Sequence, residues 1–351
     1  MNLLKIKNFI YKNIGYIALY LSAIHILFYF LHFYNRTIPD FVYQTLQLLN
    51  FGGIDLVYLR NDFLTITFQF GSSYTTRPAL SILFSFLFLI GAILYIKSKS
   101  KENRILDFVF LLLFLAKGIV IINLVIAISV RPEAYLKPQL LILLLKMALI
   151  FFVILVYLRR SFREKQLVQL EDEAGIKIYL NNGGFPETLH YKKASRGQRF
   201  WIYLIDVLLI FGVFSKYIFL IPRSFETLLV STFGERFSLY ILFIIASSLY
   251  YLFFEAIFKT TPGKCLMNTR IINYKKGKIK FSQFVWRTLS RRIPFEPFSF
   301  FGDIGWHDLL STTTVVKQNS DEEYNLVVKS ILIIFALLII GIAVENLLKG
   351  F

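Results

Sequence analysis

The chain has 351 residues, of which 56% are hydrophobic and 17% are charged, and its mean hydropathy is +0.60. A soluble globular protein of this length would hold more charge, so the composition excludes that class and indicates a membrane protein. The formal net charge of +17 does not require nucleic acid as a partner, because Lys and Arg collect in the cytoplasmic loops of membrane proteins. The single cysteine, Cys265, excludes an intrachain disulfide and any metal site built from several cysteines.

Long apolar runs predict an all-α polytopic membrane protein with about seven transmembrane helices. The predicted spans cover residues 14–34, 79–96, 105–130, 138–158, 200–221, 238–258 and 326–347. The loops on the side of the N-terminus hold 27 Lys and Arg, and the loops on the opposite side hold 8. The positive-inside rule therefore predicts a cytoplasmic N-terminus and an external C-terminus in the inner membrane of a bacterium.

The predicted spans divide the chain into four parts. These are an N-terminal four-helix membrane module (1–158) with an outer loop (35–78), a cytoplasmic linker (159–195), a second membrane domain (196–320) and a final transmembrane helix (321–351). An Asn-Asn-Gly-Gly run in the linker is a strong turn signal, and it marks the boundary between the two membrane modules.

The outer loop contains two apolar segments, IDLVYL and FLTITFQF, on either side of RND. Alternation in the second segment predicts a small extracytoplasmic β-hairpin. Two interpretations stay open: the hairpin lies on the helix bundle, or it offers a docking edge to an envelope protein. The basic cytoplasmic face is a second candidate surface for such a partner.

Two lysines, Lys117 and Lys146, lie well inside the third and fourth predicted spans. Each could pair with a buried carboxylate or with backbone carbonyls, or its long stem could carry the ammonium to the headgroups. A role in transport is the third interpretation.

The fifth predicted span carries a carboxylate, Asp206, about two helical turns from its start. An acid at that depth costs roughly 2.5–3.5 kcal/mol on insertion, so we expect it to face the protein interior and to have a partner. Arg199 lies seven residues earlier on the same helical stripe, but helical side chains lean towards the N-terminus. Arg199 therefore points away from Asp206, and each residue should find its own partner elsewhere in the chain.

Beyond the sixth span the sequence predicts a cytoplasmic hairpin followed by an interfacial amphipathic helix. TRIINY, KKGK and IKF have the pattern of two strands around a tight turn. The helix then places Phe281, Phe284 and Leu289 on one face and Arg287 and Arg291 off it. This pattern predicts a helix that lies in the cytoplasmic interface of the membrane, with its arginines near lipid phosphates.

The second half of the chain resembles the RDD family of membrane proteins. Arg199, Asp206 and Asp308 match an Arg at the start of a span, an Asp seven residues later and an Asp in a terminal motif. Further similarity lies in EAIFKTTPGK, RIINYKKGKIKF, WRTLSRRIPFEPFSF and GWHDLLSTTTVVK, and the pair IPFEPFSF and GWHD is most similar to members from Bacteroidota. The resemblance covers about residues 195–317, with Pro262 as a departure where an apolar residue is usual.

The resemblance implies a transport-related membrane protein, because some family members are credited with sodium/proton antiport. From the spacing along the chain we also predict a polar cluster at the cytoplasmic side, in which Lys264 or Arg287 separates the carboxylates. Its members are Arg199, Asp206, Glu255, Lys264, Arg287 and Asp308. The cluster could lock a cytoplasmic cap onto the spans, respond to protons or cations, or serve docking.

Motifs of enzymatic chemistry are lacking, and we expect no catalytic residue, metal site or cofactor. Thr-Pro-Gly-Lys at 261–264 lacks the upstream Gly and the following Ser or Thr of a phosphate loop. His307 beside Asp308 is interpreted as a structural hydrogen bond. Two functions stay open: ion- or proton-linked transport, and a non-catalytic subunit or scaffold of a larger inner-membrane assembly. The expected partners are the lipid bilayer and an envelope protein, and no nucleic acid.

Overall fold

A computed structural model of the chain describes residues 3–34, 78–130, 138–165, 176–182, 185–217, 223–273, 279–293, 305–318 and 322–348. Within these ranges the protein is mostly helical and has two small antiparallel sheets. Residues 35–77, which contain the predicted outer hairpin, lie outside the described ranges.

The helices are α1 (Leu3–Tyr34), α2 (Pro78–Lys97), α3 (Arg104–Val130), α4 (Pro138–Glu164), α5 (Arg196–Tyr217), α6 (Arg223–Phe233), α7 (Glu235–Phe258), α8 (Pro262–Leu266), α9 (Phe281–Ser290), α10 (Trp306–Ser311) and α11 (Glu322–Leu348). The strands are β1 (Ile176–Asn182), β2 (Phe185–Tyr191), β3 (Thr269–Asn273) and β4 (Thr313–Lys317). The chain divides into two compact units. The first unit contains α1 to α4 and α11, and the second contains β1, β2, α5 to α10, β3 and β4.

The first unit is a bundle of long apolar helices in which α1 packs on α2 and α4, α3 packs on α2 and α4, and α11 packs on α2. Gly91 of α2 allows a close approach to the start of α3, since a Cβ at this position would lie 3.1 Å from the backbone nitrogen of Leu106. Polar side chains also join the helices. His25 Nδ1 of α1 lies 2.7 Å from the hydroxyl of Ser85 in α2.

Two helices in the described part of the chain are long and apolar enough to cross a bilayer: residues Lys5–Leu27 within α1, and α7. Shorter apolar stretches occur in α2 and α11. All seven predicted spans fall wholly or mostly within described helices. The helical class and the association with a membrane are thus supported, while the seven-span topology stays a prediction.

The second unit contains strand pairs that the sequence predicted only in part. β1 and β2 pair antiparallel within the predicted linker, with Asn182 opposite Phe185. The predicted pairing of the cytoplasmic hairpin is wrong: β3 pairs with β4, with Ile271 opposite Val315, and Phe281 of the IKF segment begins α9. Local turn rules favour the nearer partner, but the buried strand β4 pairs with all five residues of β3.

The other edge of β4 contacts the segment that leads into α5. The backbone nitrogen of Ala194 donates to the carbonyl of Val315 (3.1 Å), and that of Lys317 donates to the carbonyl of Lys192 (2.8 Å). These bonds fix the start of α5 beside the segment that contains α10 and β4.

α9 buries Arg287 together with Phe284 and exposes Phe281, Trp286 and Leu289, so the predicted apolar stripe is divided between two sides of the helix. Arg287 turns into the protein, and a contact of these arginines with lipid phosphates stays a prediction. The side chain of Arg287 is 0% exposed, whereas Phe281 is 63% and Trp286 61% exposed. α10 repeats the arrangement, with Asp308 buried and Leu309 exposed. We call the exposed apolar residues of these two helices the outer face: Phe281, Trp286, Leu289, Trp306, Leu309 and Leu310.

Candidate functional site

Asp206 is fully buried on α5 in the second unit. Its carboxylate accepts three hydrogen bonds from neutral donors: the hydroxyl of Tyr250 (2.9 Å), the hydroxyl of Thr261 (2.6 Å) and the backbone N–H of Gly263 (2.9 Å). Hydrogen bonds to an ionised acceptor are stronger than those between neutral groups, so this set offsets part of the cost of burying a carboxylate.

The short helix α8 brings two of these donors to Asp206. Thr261 caps the helix and Pro262 occupies its first turn, where a missing N–H costs nothing. The approach to α5 is so close that a Cβ on Gly263 would lie 2.7 Å from the carbonyl oxygen of Ile202 and 2.8 Å from Asp206 Oδ1. A glycine is therefore required where the backbone meets the carboxylate.

The sequence predicted a cation as the partner of Asp206, and in this respect the prediction is wrong. The ammonium of Lys264 donates instead to Glu255 Oε1 at 2.6 Å. One reason is steric: the α8 backbone at Gly263 occupies the space next to Asp206 Oδ1, where its own N–H donates to the carboxylate.

Glu255 lies in the last turn of α7, which ends at Lys259 in a left-handed conformation. Arg291 Nη2 also donates to Glu255 Oε1, at 2.7 Å, and its guanidinium carbon lies 4.0 Å from the centre of the Tyr251 ring. Burial lowers the pKa of the Lys264 ammonium from its ordinary value of 10.5, and the charge of Glu255 opposes this shift.

Arg287 connects the two halves of the charged network. Its Nε lies 3.3 Å from Glu255 Oε2, and its Nη1 donates to Asp308 Oδ1 and to the hydroxyl of Thr313, the latter at 2.6 Å. One planar guanidinium thus bridges α7, α10 and β4. This geometry suits Arg, whose donors form a fixed fork.

Asp308 contacts three basic side chains. Besides Arg287, Arg199 Nη1 lies 3.2 Å from Oδ2 and His307 Nε2 lies 3.5 Å from Oδ1. Burial opposes the ionisation of Asp308, but the charge of Arg287, with His307 and Arg199, holds the pKa of its carboxyl well below the ordinary value of 3.8. Asp308 is therefore an anion at neutral pH.

All six residues of the predicted cluster lie in the second unit, and ion pairs join five of them. The pairs run in the order Lys264, Glu255, Arg287, Asp308 and Arg199. Asp206 is linked to this series through α8, because its donor Gly263 directly precedes Lys264.

A cavity of about 110 Å³ opens beside this network, with walls from α5, α7, α8, α9 and α10. Its charged lining consists of five cations, Arg199, Lys264, Arg287, Arg291 and Arg292, and two carboxylates, Asp206 and Asp308. Glu255 does not line the cavity, but it contacts Lys264, Arg287 and Arg291. With Glu255 included, these described residues have five positive and three negative charges. Apolar atoms make up the larger part of the lining, and the cavity has room for several water molecules beside its charged groups.

Sequence reasoning missed four important residues: Tyr250, Gly263, Arg291 and Arg292. The nitrogens of Arg292 donate to the hydroxyls of Ser247 (2.7 Å) and Ser248 (3.1 Å). A signal for this face existed in α7, where Ser247, Tyr251 and Glu255 recur every four residues on an otherwise apolar helix. That spacing indicates one inward polar stripe.

The two predicted intramembrane lysines belong to the first unit. Lys117 lies on α3, and its side chain is outside the described atoms. Lys146 lies on α4 with its side chain partly exposed. The interpretations offered for these residues stay predictions.

Comparison with known proteins gives one match. The model of the family described as the RDD family matches residues 193–347. This range includes the whole network, and it extends beyond residue 317, where the resemblance in the motifs ends. No curated protein and no solved structure matches the chain.

Proposed function

Because the chain belongs to the RDD family through residues 193–347 and is a membrane protein, we propose that it supports ion- or proton-linked transport through the cavity beside Asp206. The observation that carries this proposal is the carboxylate of Asp206, which has 0% exposure, lies on a helix of a membrane protein and lines a cavity that also contains basic side chains. Ionisable groups inside membrane domains are costly and mark ion pathways and proton relays.

The surroundings of Asp206 favour a group that changes its protonation or its partner. Its three hydrogen-bond donors are neutral. Protonation of the carboxylate would therefore not deprive a directly bonded cation of its counterion. Glu255 and Asp308 differ, because each forms salt bridges with two or more basic side chains. We therefore expect Asp206 to be the acid that changes its protonation, whereas Glu255 and Asp308 hold the ion pairs of the network.

The proposed topology is the seven-span arrangement in a bacterial inner membrane, with the N-terminus in the cytoplasm. The distribution of Lys and Arg between the loops supports it. In this arrangement the network lies at the cytoplasmic end of α5 and α7, where Lys264, Arg287 and Asp308 fold back onto the two spans.

The outer face of α9 and α10 supports a lipid partner. Six large apolar side chains on two short, adjacent helices are exposed, while the charged side chains of the same helices turn inward. This is the reverse of a soluble protein, where the hydrophobic side would be buried. Contact with acyl chains is the environment in which such a reversal is stable.

Asp206→Asn tests the proposal in proteoliposomes that carry a pH gradient and are given sodium. We expect the rate of proton flux to fall by about tenfold or more, because an amide cannot release a proton. Glu235→Gln is the matched control, since Glu235 is an exposed acid in the first turn of α7. Wild-type flux that Asp206→Asn leaves unchanged would contradict the proposal and favour the scaffold function.

A further inference from the structure

Among the described residues, the cavity beside Asp206 has more basic side chains than carboxylates in its lining. Five basic side chains line it, and its two lining carboxylates already have partners. Asp206 accepts three hydrogen bonds, and Asp308 pairs with Arg287 and Arg199. An anion entering this space would meet net attraction from these described groups.

Arg287 has a donor that no acceptor among the described residues uses. Its side chain is 0% exposed, and Nη2 is buried without a hydrogen-bond partner among the described atoms, although Nε and Nη1 contact Glu255 and Asp308. A buried N–H of a charged group without an acceptor is costly, and native proteins rarely tolerate one. An acceptor in the cavity would remove this cost.

Arg292, which follows the end of α9, also lines the cavity. Its guanidinium donates to the hydroxyls of Ser247 and Ser248, and Ser247 also lines the cavity. The serine hydroxyls in turn donate to backbone carbonyls of α7, so the position of Arg292 is fixed before any ligand enters. Pre-positioned guanidinium groups are well suited to phosphate oxygens, which they bind with two parallel hydrogen bonds.

We propose that this cavity binds a phosphate-type oxyanion between Arg287 and Arg292. The anion occupies the 110 Å³ space as a phosphate group, either free or as part of a lipid headgroup, and accepts from Arg287 Nη2. This inference rests on the function proposed above, in which the same cavity handles ions, and it names the ion class. Protonation of Asp206 would add to the positive excess and strengthen the binding.

Thermal unfolding of the full-length protein in delipidated detergent micelles tests the inference. Inorganic phosphate, titrated at constant ionic strength against chloride, is expected to raise the unfolding midpoint in a saturable manner. Dihexanoyl phosphatidylglycerol is the second probe. Stabilisation by phosphate alone assigns a free ion, and stabilisation by the lipid, alone or with phosphate, assigns a headgroup site.

Arg292→Gln is the diagnostic variant, because Arg292 is partly exposed and its loss leaves the ion pairs of Glu255 and Asp308 in place. We expect the apparent affinity for the active probe to fall about tenfold or more. Arg236→Gln, at an exposed position on α7, should leave the affinity unchanged.

The absence of stabilisation by either probe, or equal affinity in Arg292→Gln and the wild type, would overturn the inference. Flux that depends on Asp206 would then still support the proposed function. Conversely, phosphate binding that Arg292→Gln weakens, without any flux that depends on Asp206, would retain the anion site and contradict transport.

Discussion

Arg287→Met is expected to destabilise the second unit by about 3–5 kcal/mol, which is the usual cost of removing one partner from a buried ion pair. Arg287 is fully buried and serves two carboxylates, Glu255 and Asp308. Methionine has a similar volume, so the loss of charge rather than a cavity dominates. The measurement is the free energy of unfolding in mixed micelles of a mild detergent and SDS.

Three variants sharpen this experiment. Lys192→Met removes an exposed cation from the same unit and should change stability by less than about 0.5 kcal/mol. Arg287→Lys keeps the charge but lacks the planar fork of donors. Its loss of stability should therefore lie between those of Lys192→Met and Arg287→Met. Adding Asp308→Asn to Arg287→Met should cost less than the sum of the single changes, because it removes a buried carboxylate that has already lost one of its cations. If the stability losses of Arg287→Met and Asp308→Asn simply add, the ion pair between Arg287 and Asp308 does not contribute as described.

Gly263→Ala is expected to cost about 3–5 kcal/mol, since it combines overpacking with the loss of hydrogen bonds to a carboxylate. The new Cβ would lie 2.7 Å from the carbonyl oxygen of Ile202 and 2.8 Å from Asp206 Oδ1. The clash involves backbone, which cannot rotate away, so α8 must move off α5. The bonds from Gly263 and Thr261 to Asp206 would lengthen together.

Gly197→Ala is the matched control for this change. Gly197 lies in the first turn of α5, where an added Cβ meets no atom within 4 Å. Alanine is a better helix former than glycine, so this variant should be neutral or slightly more stable. Both variants can be compared by unfolding in the same mixed micelles. Equal stability of the two would show that α8 does not press against Asp206.

The sequence identified the residues of the network better than it identified their partners. Charges near membrane spans are costly and should pair. This rule points to Arg199, Glu255, Lys264, Arg287 and Asp308, and ion pairs join all five. The partner of Asp206 was missed, because charge arithmetic favours a cation. The distance between α8 and α5 decides the outcome, and residue spacing does not contain that distance.

The orientation of α9 shows a second limit of sequence reasoning. Periodicity correctly predicted a helix with two different faces. It could not say which face is buried, because the hydrophobic side turns inward in water but outward in lipid. The pairing of β3 failed for a related reason. A turn motif nearby favoured a local hairpin, while the true partner, β4, begins 40 residues after β3 ends.

We propose that α9 and α10 turn their charged side chains onto the network and their apolar outer face to lipid. Trp286 reports on this claim directly, since it is 61% exposed on that face. Trp201 and Trp306, which complete the three tryptophans of the chain, are first replaced by Phe. In bilayers of brominated lipid, we predict strong quenching of Trp286 fluorescence and weak quenching by aqueous iodide. Quenching by iodide with no effect of brominated lipid would show that the outer face contacts water and not lipid.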